Sequence, residues 1–276
     1  MKFDLASVLS DPTLPKLPEL KLVARDTVLG SCRSPIPGLS PLLGNVLEQY
    51  HKTGLVGEDR NAAQIFLSCE TRHLPPTFRW HVILHGVSGS GKTTLVIIVL
   101  APIWGDVENY TPITGPGLER RVMSLEGKIL YLEQLDGSQP VQLRDLMSGG
   151  KLRILVAGRV VEGVGLPVIV STQVEAMNDP QIENRALTLE IDESEAQTAR
   201  IVHHKLEQCT TVHGEDEAKH ALEQLQRIDD QCRQLGPSVR GIMIPFALQL
   251  EKVLPWSLLC VEVPINSQAC SEQPRS

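Results

Sequence analysis

The stretch "HGVSGSGKTTL", residues 85–95, holds glycines, a lysine and a threonine at the spacing GxxxxGK[ST]. Glycines in such a loop let backbone N–H groups converge on phosphates without side-chain interference. Lys92 would reach the outer phosphates, and the Thr93 hydroxyl would ligate Mg²⁺. The predicted nucleotide-binding residues are Gly86, Val87, Ser88, Gly89, Ser90, Gly91, Lys92, Thr93 and Thr94. We expect the ligand to be ATP or a close relative, bound with Mg²⁺.

The residues on either side of this loop have the pattern that phosphate binding requires. The apolar run "HVIL" before it predicts a buried strand, and "LVIIVL" after it predicts a helix. A helix that begins here adds the positive end of its dipole to the phosphate site. This context favours a phosphate-binding loop over a glycine turn that binds nothing.

A second apolar run, "KILYL", ends in two residues that bear on hydrolysis. Glu133 stands where an acid that binds Mg²⁺ is expected, so Thr93 and Glu133 are the predicted metal ligands. Gln134 stands where a glutamate usually polarises the attacking water. Because glutamine orients a water but cannot accept its proton, we expect hydrolysis to be slowed rather than abolished. Asp136, two residues further on, is a candidate to compensate.

Apolar runs alternate with helical or loop segments between residues 80 and 191. The runs are "HVILHG", "KILYLEQL", "LRILVAG", "LPVIVSTQ" and "ALTLEID". Short apolar runs separated by helices predict an α/β fold, a P-loop NTPase with a mostly parallel central sheet flanked by helices. The segment around "LRILVAGRVVEGVG" also predicts a β-hairpin inserted before the "LPVIVSTQ" strand.

The chain divides into three predicted parts. Residues 1–55 form an extended proline-rich segment, since six prolines fall within the first 43 residues. Residues 56–206 form the P-loop ATPase core, which begins with a helix in "GEDRNAAQIFLSCETRHL" capped by Asp59. Residues 207–276 form a helical C-terminal segment with a polar tail. An apolar stripe along residues 218–235 predicts packing onto the core, or else a coiled-coil partner.

Composition limits the classes of function. The net charge of −7 and the pI of about 5.6 mean that any contact with DNA must come from a local patch. Six cysteines without a CxxC pair argue against a zinc site and against a disulfide framework. The longest apolar run has ten residues and a membrane span needs about 20, so we expect a cytoplasmic protein with no membrane partner.

The order of the segments resembles one group of AAA+ P-loop ATPases. This group comprises the primase-associated and minichromosome-maintenance-like helicases of archaea and mobile elements. The similarity rests on "VGEDRNAAQIFLSCETRHL", "ILYLEQLDG", "LRDLMSGGKL", "DPQIENRALTLEIDESEAQT" and "IPFALQL", within residues 56–250. It implies a helicase-like motor that acts on DNA in replication, a homo-oligomeric ring and a primase partner.

The resemblance also implies roles for individual residues. By position, Gln173 (or Thr172) resembles the sensor of the γ-phosphate, and Arg185 resembles the arginine finger that enters a neighbouring subunit's site. With Glu133 and Gln134 they make up the predicted catalytic set. Relatives carry a comparable hairpin in the ring channel, so Lys151, Arg153 and Arg159 become candidate contacts for single-stranded DNA. The alternative is a solvated hairpin whose edge is protected by cations.

Two departures from the group keep other functions open. Gln134 and the ending "LPWSLLCVEVPINSQACSEQPRS", which lacks a basic helical lid and resembles a truncation, favour a slowly or non-hydrolysing assembly or loader subunit. Arg240 is the candidate for a second sensor near this end. A small-molecule kinase shares the phosphate loop but needs clustered arginines, for which Arg120 and Arg121 are the candidates.

Overall fold

The computed structural model describes residues 40–111, 118, 125–133, 141–149, 151–156, 159–164, 167–174, 182, 184–210 and 215–239. All of them lie within one unit, Ile36–Ser276. The α-helices are α1 (Pro41–Lys52), α2 (Asp59–Glu70), α3 (Lys92–Leu100), α4 (Val141–Gly149), α5 (Glu195–Thr210) and α6 (Glu215–Leu235). The strands are β1 (His81–His85), β2 (Val107–Tyr110), β3 (Ile129–Leu132), β4 (Lys151–Val156), β5 (Arg159–Val164), β6 (Val168–Gln173) and β7 (Ala186–Glu190). Short 3₁₀ helices span Thr71–His73, Pro76–Phe78, Ala101–Asp106 and Gly236–Ser238.

Five strands form one parallel sheet in the order β2-β3-β6-β1-β7. The predicted α/β P-loop fold is confirmed. The apolar runs of β1, β3 and β6 are buried on both faces, as expected for central strands of a parallel sheet. Strand β2, "VENY", was not predicted, because an edge strand with polar residues lacks a continuous apolar run.

Alternate residues of the central strands enter two separate hydrophobic clusters. On one face, Val82, Tyr131 and Val170 pack with the buried side chains of α1, α2 and α3, and with Leu225 of α6. On the other face, Ile83, Leu130 and Ile169 pack with buried side chains of α4. Helices therefore cover both faces of the sheet, and the strand residues that a ligand can reach are those at the ends of the strands.

The region 41–52, predicted to be part of an extended segment, is α-helical. Ser40 caps α1, since its hydroxyl accepts a hydrogen bond from the Leu43 N–H at 3.3 Å. Pro41 occupies the first turn, where its missing N–H has no consequence. Val46, Leu47 and Tyr50 then bury one face of the helix. The many prolines of this region led to the prediction of an extended segment, although the pair Ser40-Pro41 is itself typical of a capped helix start.

Helix α6 ends where the sequence predicted, at Gly236 and Pro237. Its predicted stripe is only partly buried: Ala221 and Leu225 are inside, whereas Leu235 is 68% exposed. Asp229, a charged residue, is buried on the same helix. Polar pairing as well as apolar packing therefore fixes α6 to the core.

Strands β4 and β5 form the predicted hairpin, antiparallel and separate from the main sheet. The predicted boundary between residues 206 and 207 falls inside α5, which is one continuous helix. Within the described residues, no helix has the length and apolar character needed to cross a membrane.

Candidate nucleotide-binding site

The carboxyl ends of β1, β6 and β3 lie side by side, because all three strands are parallel. His85 at the end of β1 is in register with Gln173 at the end of β6, and Ser171 of β6 is in register with Leu132 of β3. The phosphate loop leaves β1 at this edge, and Glu133 leaves β3 there. Ligands of open α/β sheets bind outside the carboxyl ends of strands, so this edge is the candidate site.

The backbone of the phosphate loop requires glycine for two different reasons. Gly89 and Gly91 have φ of 83° and 94°, in the left-handed region that L side chains rarely adopt. At Gly86 the limit is space: a Cβ there would lie 2.5 Å from Ile191 Cγ2 and 2.9 Å from Glu193 Oε1. Val87, Ser88 and Gly89 are exposed. The loop thus presents its backbone to solvent in a conformation that side chains would prevent.

Lys92 is buried within this loop and bonds to its carbonyl groups. Its Nζ donates to the Gly86 and Val87 carbonyl oxygens at 2.7 and 2.6 Å, and more weakly to Ser90 Oγ at 3.4 Å. Burial lowers the pKa of Lys92, while the nearby carboxylate of Glu193 opposes that shift. The ammonium therefore lies inside the loop and has acceptors that phosphate oxygens would replace. Thr93 and the exposed Thr94 follow in the first turn of α3.

Hydrogen bonds from neighbouring residues hold Glu133 at the same edge of the sheet as the phosphate loop. The Thr172 hydroxyl donates to the Glu133 carbonyl oxygen, and the Thr111 hydroxyl donates to Glu133 Oε2 at 3.3 Å. Burial raises the pKa of Tyr131, the charge of Glu133 adds to this shift, and the nearby Thr93 and Thr172 side chains oppose it. Thr93 and Glu133 therefore both lie in the neighbourhood of Tyr131, whose hydroxyl has no hydrogen-bond partner among the described residues. Hydroxyl and carboxylate oxygens are the donors that Mg²⁺ prefers, so the predicted metal ligands fit this ion.

Gln173 is 2% exposed at the end of β6. Neither its amide oxygen nor its amide nitrogen has a hydrogen-bond partner among the described residues. A buried amide without partners is unfavourable by roughly 1–3 kcal/mol. Its side chain therefore has hydrogen-bonding capacity left for a group that enters the strand edge.

Glu193 contacts the phosphate loop and was missed by the sequence analysis. Its Oε1 accepts a hydrogen bond from the Val87 N–H at 2.5 Å, across 106 residues of chain. Nothing in the local sequence signals this contact, since Glu193 is one of several acidic residues after β7. It ties the segment between β7 and α5 to the start of the loop.

The same segment is also bonded to the start of α2. The Asp192 N–H donates to Glu58 Oε1 at 2.6 Å, and Gln197 Nε2 donates to the Val56 carbonyl oxygen at 2.6 Å. Glu58, with φ of 58°, occupies the N-cap position and Asp59 is the first helical residue, so the predicted cap was wrong by one residue. Residues 190–200 thus join the phosphate loop to α2.

Arg185 lies at the opposite edge of the sheet from the phosphate loop. It directly precedes β7, whose first residue, Ala186, is in register with His81 at the start of β1. The length of β1, five residues or about 16 Å, separates this edge from the loop. The exposed Arg185 is therefore not brought together with Lys92, Glu133 and Gln173 of the same chain.

The register of the β4–β5 hairpin gives the cross-strand partner of each of the three predicted cations. Arg153 pairs with Glu162, Arg159 with Val156, and Lys151 with Val164. Several other predicted residues lie outside the described part of the chain: Arg120, Arg121, Gln134, Asp136 and Arg240.

Comparison with protein families finds a match in the second half of the chain. A model described as the MTBMA_p00010 P-loop domain matches residues 151–228, under a third of the chain. This range runs from the hairpin into α6 and lies downstream of the loop at 86–93. A comparison with curated proteins finds no match. The match and the parallel sheet together identify an α/β P-loop fold, and a P-loop domain indicates nucleotide binding.

Proposed function

We propose that this chain is an Mg²⁺-dependent ATPase of the AAA+ type that assembles as a ring and acts on DNA in replication. One observation is its main support. Lys92, Thr93, Glu133 and Gln173 come from three separate elements and meet at the carboxyl edge of the sheet. Phosphoryl transfer depends mainly on positioning and electrostatic stabilisation, and these residue types supply both.

Each residue has a stated role in the proposed reaction. Lys92 exchanges its loop carbonyls for oxygens of the outer phosphates, where its charge is attracted more strongly. Thr93 and Glu133 hold the Mg²⁺, which neutralises phosphate charge when bound. Gln173 uses its unpaired amide to bond the γ-phosphate or the attacking water. Gln134 orients that water without accepting its proton.

Arg185 is proposed to complete the site of a neighbouring chain. The support is its distance: it lies at the amino edge of the sheet, about 16 Å from its own phosphate loop. A head-to-tail arrangement would bring this edge against the next chain's carboxyl edge, and such a heterologous contact gives a ring when the rotation between neighbours closes. The ring, its size and a primase partner are all part of the proposal.

The contact with single-stranded DNA is proposed for the β4–β5 hairpin. The hairpin carries Lys151, Arg153 and Arg159 in a stretch of 9 residues, although the net charge of the whole chain is −7. Glu162 is in register with Arg153, which reduces the local positive charge. We therefore expect weak, strongly salt-dependent binding of DNA.

The first test is phosphate release from ATP by the purified chain, with and without single-stranded DNA. Turnover that rises with DNA and disappears in Lys92→Ala supports the motor. A triple Lys151, Arg153 and Arg159 to Ala variant should lose the stimulation by DNA but retain basal turnover. If turnover by the wild-type chain does not change when DNA is added, the role in DNA replication is contradicted. The proposed ATPase activity would then stand without it.

The second test addresses the shared site by mixing two inactive variants. Lys92→Ala and Arg185→Ala should each be inactive alone. In an equal mixture, about a quarter of the interfaces join an intact loop to an intact arginine, so activity should return in part. Arg60→Ala, an exposed arginine on α2, is the matched control and should be fully active alone. No recovery on mixing contradicts the role of Arg185 in a neighbouring site.

A second candidate is an assembly or loader subunit that binds ATP and turns it over slowly or not at all. Gln134, in place of a proton-accepting glutamate, favours it. Tight ATP binding without phosphate release, with or without DNA, would establish this candidate and exclude the motor. Transfer of phosphate to an added nucleoside or metabolite would instead identify the small-molecule kinase.

A further inference from the structure

Two histidines occupy the two ends of β1, and their ring nitrogens differ in hydrogen bonding. His81 at the amino end is buried, and its Nδ1 accepts a hydrogen bond from the Ile169 N–H at 3.0 Å. His85 at the carboxyl end is half-buried, and its buried Nε2 has no hydrogen-bond partner among the described residues. The ring nitrogen without a partner is thus the one beside the phosphate loop.

A second side chain without partners lies next to His85 on the adjacent strand. Gln173 of β6 is in register with His85, and neighbouring strands are about 4.8 Å apart. Ile83 and Ile169, two and four residues before this pair, both pack in the cluster on the α4 face. Because alternate residues of a strand share a face, His85 and Gln173 lie on that same face. Three polar atoms without partners are therefore neighbours at the sheet edge: His85 Nε2 and both amide atoms of Gln173.

Histidine and glutamine side chains can satisfy one another, as another pair in this chain does. His220 and Gln224, four residues apart on α6, bond through their Nε2 atoms at 3.0 Å. His85 and Gln173 are adjacent but make no such bond. Because burial of unpaired polar atoms is unfavourable, a group that bonds to both side chains would stabilise this pair.

The phosphate loop beside the pair indicates what that group is. Gly86 directly follows His85, and its carbonyl oxygen accepts a hydrogen bond from Lys92 Nζ at 2.7 Å. The lysine of such a loop reaches the outer phosphates of a nucleotide. His85 Nε2 and Gln173 Nε2 are both able to donate hydrogen bonds, and phosphate oxygens are strong acceptors. The chemistry of the pair therefore fits an outer phosphate group.

The pair approaches the sheet edge from the face opposite the phosphate-loop helix. Helix α3, which begins at Lys92, packs on one face of the sheet, and α4 packs on the face that carries His85 and Gln173. A group bound at the edge would therefore meet donors on both sides. The inner phosphates of a nucleotide lie along the loop and the start of its helix, so the pair is placed for the outermost one.

We propose that His85 and Gln173 together donate hydrogen bonds to the γ-phosphate, so that the site distinguishes ATP from ADP. The inference rests on the proposed function, because it requires that the loop bind a nucleoside triphosphate. It adds His85, which was not among the residues predicted from the sequence. His85 Nε2 donates both in the imidazolium and in the neutral ring protonated at Nε2.

The test is binding of a non-hydrolysable ATP analogue and of ADP, each with Mg²⁺, measured by calorimetry on the full chain. His85→Phe and Gln173→Leu should each weaken binding of the analogue by at least about 10-fold and change binding of ADP by less than about 2-fold. The matched controls, His220→Phe and Gln224→Leu, come from the bonded pair on α6 and should bind both nucleotides normally. His85→Gln, which restores a side-chain donor, should recover part of the affinity for the analogue.

The stability of the ligand-free chain separates a binding role from a structural one. Each apolar variant removes buried polar atoms that have no partner among the described residues. The Tm of the ligand-free variant should therefore equal or exceed that of the wild-type chain. The rise in Tm on addition of the ATP analogue should be smaller in both variants. A structural role would instead lower the Tm of the ligand-free variant.

The outcomes distinguish this inference from the function on which it rests. A wild-type chain that binds neither nucleotide contradicts the proposed function, and the inference with it. If the wild-type chain binds the ATP analogue, normal affinity in either variant overturns the role of the pair alone. Equal losses of affinity for the analogue and for ADP, or a large fall in the Tm of the ligand-free variants, overturn it as well.

Discussion

The phosphate loop and the α2–α6 cluster, by which we mean the buried charged residues Glu70, Arg72 and Asp229, are built in opposite ways. The loop is contiguous in sequence, partly exposed and held by the backbone conformation of its glycines. The cluster joins residues more than 150 positions apart and consists of buried charged side chains. From this difference we expect the loop to determine activity with little effect on stability, and the cluster to determine stability with little direct effect on turnover.

Lys92→Ala gives the largest expected effect and tests the first half of this comparison. Removal of the ammonium should reduce ATP hydrolysis by at least about 100-fold, because a charge that binds the transferred phosphoryl group is lost. The free energy of unfolding should change by less than about 1 kcal/mol, since among the described residues Nζ donates hydrogen bonds to atoms of the loop alone. Phosphate release and urea unfolding of the same preparation measure both. A large loss of stability would contradict the distinction.

Arg72→Met tests the second half of the comparison, that the α2–α6 cluster determines stability. Arg72 pairs with Asp229 and lies 3.5 Å from Asp106 Oδ2, so its loss removes the fully buried cation and leaves these carboxylates to the more exposed Arg233 and Lys128. The free energy of unfolding should fall by about 3–5 kcal/mol. Urea unfolding measures this change, with Arg60→Met as the exposed control. Near-normal stability of Arg72→Met would mean that apolar packing alone fixes α6.

Two glycines offer a matched pair of smaller effects. At Gly236 a Cβ would lie 2.4 Å from the His73 carbonyl oxygen, so Gly236→Ala should destabilise the chain by about 1–3 kcal/mol through overpacking. At Gly91 there is open space but φ is 94°, so Gly91→Ala should lower stability by about 1–2 kcal/mol through backbone strain. Only Gly91→Ala should also weaken nucleotide binding. Unfolding curves and binding of a fluorescent ATP analogue separate the two.

The Glu70→Gln variant tests how the contribution of the α2–α6 cluster to stability depends on pH. Burial raises the pKa of Glu70 from 4.5 to about 7, so the folded chain binds this proton more tightly than the unfolded chain. Its contribution to stability is therefore full below pH 4.5 and is lost as pH rises to about 7. The wild-type chain should lose stability across this range relative to Glu70→Gln. Unfolding midpoints from pH 4.5 to 8 test this, and parallel profiles would contradict it.

Asp229 responds to pH in the opposite sense. Burial opposes its ionisation, but hydrogen bonding with His73 and the charge of Arg72 prevail and lower its pKa to about 2. Its stabilising contribution is thus present above pH 3.8 and is lost as pH falls towards 2. Glu70 therefore titrates within the pH range in which unfolding of Glu70→Gln is compared, whereas Asp229 titrates below it, so the two effects remain separable.

The sequence predicted those features that are local. The strand, phosphate loop and helix around Lys92 follow from contiguous residues, as does the end of α6 at Gly236 and Pro237. Helix α1 was also encoded locally, by Ser40 and Pro41, but the count of prolines concealed it. Strand β2 was missed because the edge of a sheet tolerates polar residues.

Contacts between distant residues were beyond prediction. Glu193 bonds to Val87 across 106 residues, and no pattern of spacing pairs these two positions. Arg72 likewise bonds to Asp229 across 157 residues, and no local pattern relates these two positions. Sequence spacing therefore predicted the loop that faces the ligand but not the side chains that support it.

The hydrogen bond between Glu193 and Val87 has a mechanical consequence. It lies two residues before α5, a helix of 16 residues and therefore about 24 Å long. Val202 and Leu206 on this helix are 50% and 62% exposed. A rotation of about 10° at its first turn would displace its far end by about 4 Å. Any change in the phosphate loop that rotated the 190–200 segment would therefore produce its largest displacement at the far end of α5.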